Sequence, residues 1–295
     1  MSAQLHICLL GFGEVGQTLA ADLRNRGHED VTAWDIVFPD PNSKPSRAAA
    51  NGLVKAAPTA HAALASADLV ISAVTAAQCV DAARAASQSL QAGAFFMDLN
   101  SVAPHTKQQA ARHVTAAGSR YVEAAVMAPI GPKRIATAML LGGPHAATFQ
   151  PLAERLGFAG ARVYSDEIGK ASAAKMCRSV MIKGLEALIS ESLLSARRYG
   201  VEQTVLESLR DLFPGTDWPK LSRYMISRSL LHGRRRAEEM REVAVTVRDA
   251  GIEPHMSSGA AERQDWAAAH AAATQGETLE QVLDAILAAT PDPRG

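Results

Sequence analysis

Leu5-His6-Ile7-Cys8-Leu9-Leu10-Gly11-Phe12-Gly13-Glu14-Val15-Gly16, running on into Gln17 to Arg26, is the stretch on which the fold turns. A short apolar run, a Gly-x-Gly-x-x-Gly turn and a helix-like segment predict strand, tight turn and helix. Gly27 and His28 end that helix, and Val31-Thr32-Ala33-Trp34-Asp35 supplies a second strand, completing a βαβ unit. The glycine pattern alone recurs by chance. Here it follows a strand, opens a helix and precedes a strand that ends in an acid, the setting of a dinucleotide fingerprint. Gly11 permits the tight turn, Gly13 lets the backbone approach a pyrophosphate, and Gly16 allows close helix packing. Phe12, Glu14 and Val15 complete the loop, whose helix N-terminus offers amide N–H groups to phosphate.

Asp35 lies 19 residues after Gly16 at the end of the second strand, where a carboxylate can accept hydrogen bonds from the adenosine ribose. That predicts NAD in preference to NADP, because Asp35 repels a 2′-phosphate unless a cation compensates. The nearest basic residues, Lys44 and Arg47, fall in a Pro-rich loop. The alternative is that Asp35 only caps the following segment. Val74 and Thr75, at the end of a later strand-like run, are further expected cofactor contacts.

Working outward, apolar runs recur at Leu69 to Val74, Ala94 to Asp98, Tyr121 to Val126 and Ala136 to Leu141, separated by alanine-rich stretches that suit helices. This alternation predicts a largely parallel sheet. After Gly169 the strand-like runs stop, and Lys170 to Tyr199 reads as one long helix ended by Gly200. The expected fold class is α/β plus all-α: a Rossmann domain over residues 1–168 and a helical substrate and dimerisation domain over 169–295. Breaks are expected at Pro214-Gly215, Pro219, Gly251 to Pro254 and Thr274 to Gly276, with a frayed tail at 291–295.

The chain has 295 residues, 47% hydrophobic and 20% charged, with 30 basic residues balancing 30 acidic ones. Such composition excludes a disordered or collagen-like chain and gives no net field to recruit nucleic acid or an anionic membrane. No export signal is visible, and no apolar run reaches the ~18 residues of a membrane span, so a cytoplasmic protein with a small-molecule partner is expected. Cys8, Cys79 and Cys177 show no CxxC pair or zinc-ligand spacing and are expected to be buried free thiols, with no metal bound.

Gly169-Lys170-Ala171-Ser172-Ala173-Ala174-Lys175-Met176-Cys177-Arg178-Ser179 opens the long helix, and here the sequence resembles the β-hydroxyacid dehydrogenases, which include the 6-phosphogluconate dehydrogenases. Four landmarks occur in the family's order: the glycine loop, Asp98-Leu99-Asn100-Ser101-Val102-Ala103-Pro104, Tyr121 to Ile130, and the Lys175 helix. The resemblance implies that Lys175 is the general base on a substrate hydroxyl while hydride passes to the nicotinamide. It also implies that Asn100 lies near the nicotinamide ribose and Ser101 near the substrate, and that the assembly is a homodimer.

Two departures bear on the substrate. The family's Ser-Gly-Gly after Asp-Ala-Pro-Val is replaced by Met127-Ala128-Pro129 after Glu123-Ala124-Ala125-Val126, and its asparagine four residues past the lysine is Ser179, with Arg178 beside it. A remodelled, more apolar pocket is expected, suited to a bulky or aromatic β-hydroxy acid or a phenylserine-like amino acid. In His232-Gly233-Arg234-Arg235-Arg236 the family's usual lysine is not recognisable. Either His232 or an arginine holds a substrate carboxylate, or the run is a solvated face with Arg234–Glu238 and Arg235–Glu239 pairs. Trp218, Tyr224 and Trp266 are expected in core or dimer contacts. The rival functions are an imine reductase on the same scaffold, which Lys175 argues against, and a dinucleotide-binding protein without catalysis.

Overall fold

A computed structural model describes residues 5–290; the tail at 291–295, for which fraying is expected, lies outside the described residues. The chain divides into two compact units, residues 1–176 and 177–295.

The first unit is built on an eight-stranded sheet, ordered β3-β2-β1-β4-β5-β6-β7-β8. Its strands are β1 (Ile7–Leu10), β2 (Val31–Trp34), β3 (Lys55–Ala56), β4 (Leu69–Ser72), β5 (Phe95–Asp98), β6 (Arg120–Val126), β7 (Met139–Gly142) and β8 (Ala161–Ser165). All neighbours are parallel except β6 and β7. The helices are α1 (Glu14–Asn25), α2 (Lys44–Ala48), α3 (Ala60–Leu64), α4 (Cys79–Ser87), α5 (Pro104–Ala116), α6 (Ile130–Lys133), α7 (Ala146–Leu156) and the start of α8 (Lys170–Tyr199).

β1, β4 and β5 are buried along their whole length, and their alternating residues feed two cores. Ile7, Leu9, Ile71 and Met97 pack on one face; Cys8, Leu10, Val70 and Phe96 pack on the other. Burial on both faces explains why these strands read as continuous apolar runs. Strand order reverses direction at β1, between β2 and β4, which places the loops after these strands at the crevice where ligands sit in doubly wound sheets.

Sequence patterning misses both edges. β3 is two exposed residues, and Arg162, Val163 and Tyr164 of β8 are exposed, so neither carries an apolar run. The strand expected from Ala136 starts at Met139, because residues 134–136 form a short helical turn in which Arg134 takes a positive φ of 51° and its carbonyl accepts from the Thr137 hydroxyl. The Pro-rich stretch containing Lys44 and Arg47 is not loop but α2, capped by the Ser43 hydroxyl. The Ser43 and Ser46 hydroxyls also donate to the Val37 carbonyl, tying α2 to the segment after β2.

The second unit contains the rest of α8 with α9 (Glu202–Leu212), α10 (Trp218–Asp249), α11 (His255–Ala268) and α12 (Leu279–Ala288). Pro219 does not break a helix: it sits in the first turn of α10, where its missing N–H costs nothing, and Asp217 caps that turn at Lys220. Gly233 keeps α10 close to α11, since a methyl there would collide with the Gln264 carbonyl. Ile189, Leu193, Leu230, Val282, Leu283 and Ile286 form the core with Trp218, and Trp266 packs against it. Tyr224 is 56% exposed. Cys8 and Cys79 are buried as expected, whereas Cys177 is exposed, on a part of α8 where its neighbour Arg178 also faces solvent.

Candidate functional site

The turn after β1 has the shape its glycines predict. Gly11 has φ +95°, and a Cβ on it would lie 2.5 Å from the Ala73 carbonyl oxygen after β4. A Cβ on Gly16 would collide with the Gly11 carbonyl, so this glycine serves the turn's own backbone more directly than the sheet. Gly13 caps α1, is exposed, and would project a Cβ into open space. That open backbone beside the first amides of α1 is what a pyrophosphate needs, so the residues present fit a dinucleotide. Phe12 contributes only its backbone here, because its ring is buried against Phe38. Glu14 is exposed and Val15 half-buried.

Asp35 stands just past β2 and grips this turn. Its Oδ2 accepts from the Phe12 amide at 2.7 Å and its Oδ1 from the Val37 amide at 3.1 Å. A carboxylate offers about four acceptor positions, so capacity for ribose hydroxyls remains. Capping and ribose binding, alternatives on sequence alone, are compatible. Lys44 and Arg47 are exposed on α2.

Asn100 links the loops after β4 and β5. Its Oδ1 accepts from the Val74 amide at 2.7 Å, its Nδ2 donates to the Ser72 hydroxyl at 3.1 Å, and its own amide donates to Asp98 Oδ1 at 2.8 Å. Thr75 follows as an exposed residue. Beneath Asn100 lies a buried network that sequence analysis did not find. Lys107 Nζ pairs with Asp98 Oδ1 at 2.8 Å and donates to the Asp98 carbonyl at 2.9 Å, while Tyr121 Oη donates to Asp98 Oδ2 at 2.6 Å. Burial, then the adjacent Asp98 carboxylate, push the Tyr121 hydroxyl and the Cys79 thiol well above their usual pKa values, keeping both neutral. Lys107 occupies the apolar phase of α5, with Ala110, Ala111 and Val114. A lysine in that phase, opposite an acid at a strand end, is the signal that could have exposed it.

Ser101, half-buried, meets Lys175: the Lys175 ammonium donates to Ser101 Oγ. The helix carrying Lys175 begins on Glu123, a fully buried acid of β6 whose carboxylate accepts from the Gly169 and Ser172 amides at 2.7 and 2.5 Å. Met127 is half-buried and packs with Ala125, Leu140, Ala171 and Ala174; Ala128 is exposed.

The remaining candidates belong to the second unit. Arg178 is exposed, and Ser179 is buried and accepts from Lys183 Nζ at 3.2 Å. His232 Nε2 lies 2.9 Å from Arg228 Nη1. The arginine run divides its roles: Arg235 makes the expected pair with Glu239 at 2.9 Å, but Arg236 turns inward to Glu186 at 2.5 Å, with Gln264 on the same oxygen. Burial raises the Glu186 pKa and lowers that of Arg236, each opposed by the attraction of its partner. Lys183, paired with Glu239 at 2.8 Å, was also missed.

Comparison with known proteins agrees with this geometry. Residues 6–169 match the family described as the NAD binding domain of 6-phosphogluconate dehydrogenase, and residues 196–267 match a domain of unknown function, DUF1932. A conserved hypothetical protein from Sinorhizobium meliloti is 35% identical, with a TM-score of 0.75 and 98% of each chain covered. Bovine mitochondrial 3-hydroxyisobutyrate dehydrogenase is 22% identical over 74% of this chain and 65% of its own length. The 3-hydroxyisobutyrate dehydrogenase of Mycobacterium tuberculosis, solved with L-serine, shares the fold with a TM-score of 0.72 at 19% identity, covering 96% of this chain and 99% of that one. With a NAD-binding Rossmann unit followed by a helical unit, the chain belongs to the β-hydroxyacid dehydrogenase-like family.

Proposed function

We propose that the chain is a NAD-dependent dehydrogenase oxidising the hydroxyl carbon of a β-hydroxy acid or β-hydroxy amino acid, with Lys175 as general base. The observation that carries this is the hydrogen bond from Lys175 Nζ to Ser101 Oγ, which joins two family landmarks far apart in sequence. It lies on the loop that Asn100 ties to the strand end beside the glycine turn. NAD, when bound, accepts the hydride from the substrate carbon. The Lys175 amine, in its neutral form, takes the hydroxyl proton as the C–H bond breaks, leaving a carbonyl product. Ser101 orients that amine and offers a second hydrogen bond to the same oxygen. Met127 gives the substrate an apolar flank, which favours a bulky side chain. The second unit supports a homodimer: Met181 and Leu188, seven residues apart on α8, are 71% and 54% exposed.

The test is NADH formation by wild type and Lys175→Ala with 3-hydroxyisobutyrate, L-serine and phenylserine, with NADH binding measured by fluorescence. Loss of a general base costs about 10²–10⁴ in rate. A fall of that size with NADH binding intact is expected; turnover within about tenfold of wild type would rule out the assigned role.

A further inference from the structure

Helix α8 starts without a cap of its own. Two of its four orphan donors are the amides of Gly169, which has no side chain, and of Ser172, whose hydroxyl instead donates to the Gly169 carbonyl at 3.1 Å. In a capping box these same two donors are satisfied by two side chains of the helix itself. Here one buried carboxylate from another element does both: Glu123 Oε2 takes the Gly169 amide and Oε1 takes the Ser172 amide. Space for it is kept by Gly142, its partner across β6 and β7, where a Cβ would fall 2.7 Å from Glu123 Oε2 and 3.4 Å from Ala171 Cβ. Glu123 is also the register partner of Asp98, so adjacent strands carry the two acids that anchor the Ser101 loop and the Lys175 helix.

Lys175 comes three residues after Ser172, which puts it on nearly the same side of the helix, about 4.5 Å further along the axis. We propose that Glu123 is a positioning residue for Lys175: by gripping both first-turn amides it fixes the rotation of α8 at which the Lys175 ammonium meets Ser101. A side chain reaches roughly 6 Å from its helix axis, so about 10° of slack at the helix start moves its tip by about 1 Å. A misplacement of that size at a reacting group costs about 10²-fold. The carboxylate is needed for this, and an amide does not replace it. Glutamine offers one acceptor oxygen and turns an NH₂ towards the other N–H. The assignment rests on the proposed role of Lys175, but its geometry is measurable without turnover.

The experiment compares wild type, Glu123→Gln and Gly142→Ala, the last retaining the carboxylate but crowding it, so that a folding failure of the first does not remove the test. Hydrogen exchange reports the Gly169 and Ser172 amides. Competitive acetylation with acetic anhydride reports Lys175 against exposed Lys55, and NADH fluorescence reports the dinucleotide turn. Expected are faster exchange at both amides and at least about a threefold change in Lys175 acetylation relative to Lys55, with NADH affinity within about twofold. Where a substrate is turned over, kcat falls about 10–100-fold with KM little changed. Unchanged Lys175 acetylation overturns the proposal even if exchange rises, since Glu123 would then be a helix cap and nothing more. Turnover that survives Lys175→Ala would defeat the proposed chemistry while leaving the acetylation result standing.

Discussion

Lys107→Met removes one half of a fully buried ion pair while keeping most of the side chain's length. The side chains of Lys107 and Asp98 are 0% and 1% exposed, and Nζ makes two contacts, to Asp98 Oδ1 at 2.8 Å and to the Asp98 carbonyl at 2.9 Å. Stranding one charge of a buried pair costs about 3–5 kcal/mol. Asp98 keeps donors from Tyr121 Oη at 2.6 Å and the Asn100 amide at 2.8 Å, which places the cost near the lower end, about 3 kcal/mol. For a unit of this size that is a fall of roughly 6–12 °C in Tm. The assay is thermal and urea unfolding of wild type, Lys107→Met, Asp98→Asn and the double variant, followed by Trp34 fluorescence for the first unit. The two changes should couple by about 2 kcal/mol, because the partners are in direct contact. NADH binding should weaken as well, since Asp98 also holds the backbone of Asn100. A cost below about 1 kcal/mol, or strict additivity, would refute the view that this pair supports the Asn100 loop.

Two further outcomes follow from the same geometry. Gly16→Ala should weaken NADH binding by more than about tenfold, because its methyl collides with the Gly11 carbonyl and opens the turn, whereas Gly13→Ala leaves the apo fold intact and weakens binding only through the methyl at the pyrophosphate; fluorescence titration beside thermal unfolding separates the two, and equal loss of stability would contradict it. Asp284, held below its ordinary pKa of 3.8 by its hydrogen bonds to Arg197, contributes stability that is complete above that value and is lost as pH falls through its depressed folded value. Asp284→Asn should therefore cost less than about 1 kcal/mol at pH 7, as the carboxylate is largely exposed, and the gap to wild type should close on acidification in urea titrations run from pH 7 to pH 3.

By itself the sequence determined the nucleotide-binding half, because there local chemistry and tertiary role coincide. Gly16 is required by a clash with the Gly11 carbonyl five residues back and Gly11 by its own positive φ of 95°, strands buried on both faces declare themselves as apolar runs, and Asp35 sits where a strand must end; the closeness of Gly11 to the Ala73 carbonyl is added by the fold. The long helix from Lys170 to Tyr199 was equally legible, bounded by Gly169 and Gly200. What only the tertiary structure decided are contacts whose partners lie far apart in sequence and carry no periodic signal. Lys107 sits in an apolar phase because Asp98 waits opposite it; Arg236 turns inward while Arg235 stays in water because Glu186 lies across from α10. The edge strands escaped notice because they need no apolar face. Glu123, the one acid in β6, holds the start of a helix some 46 residues away, and only the fold shows that the two meet. Local patterning reports which face of an element is apolar; it does not report which buried donor a buried carboxylate will find, because that choice is made when the layers pack.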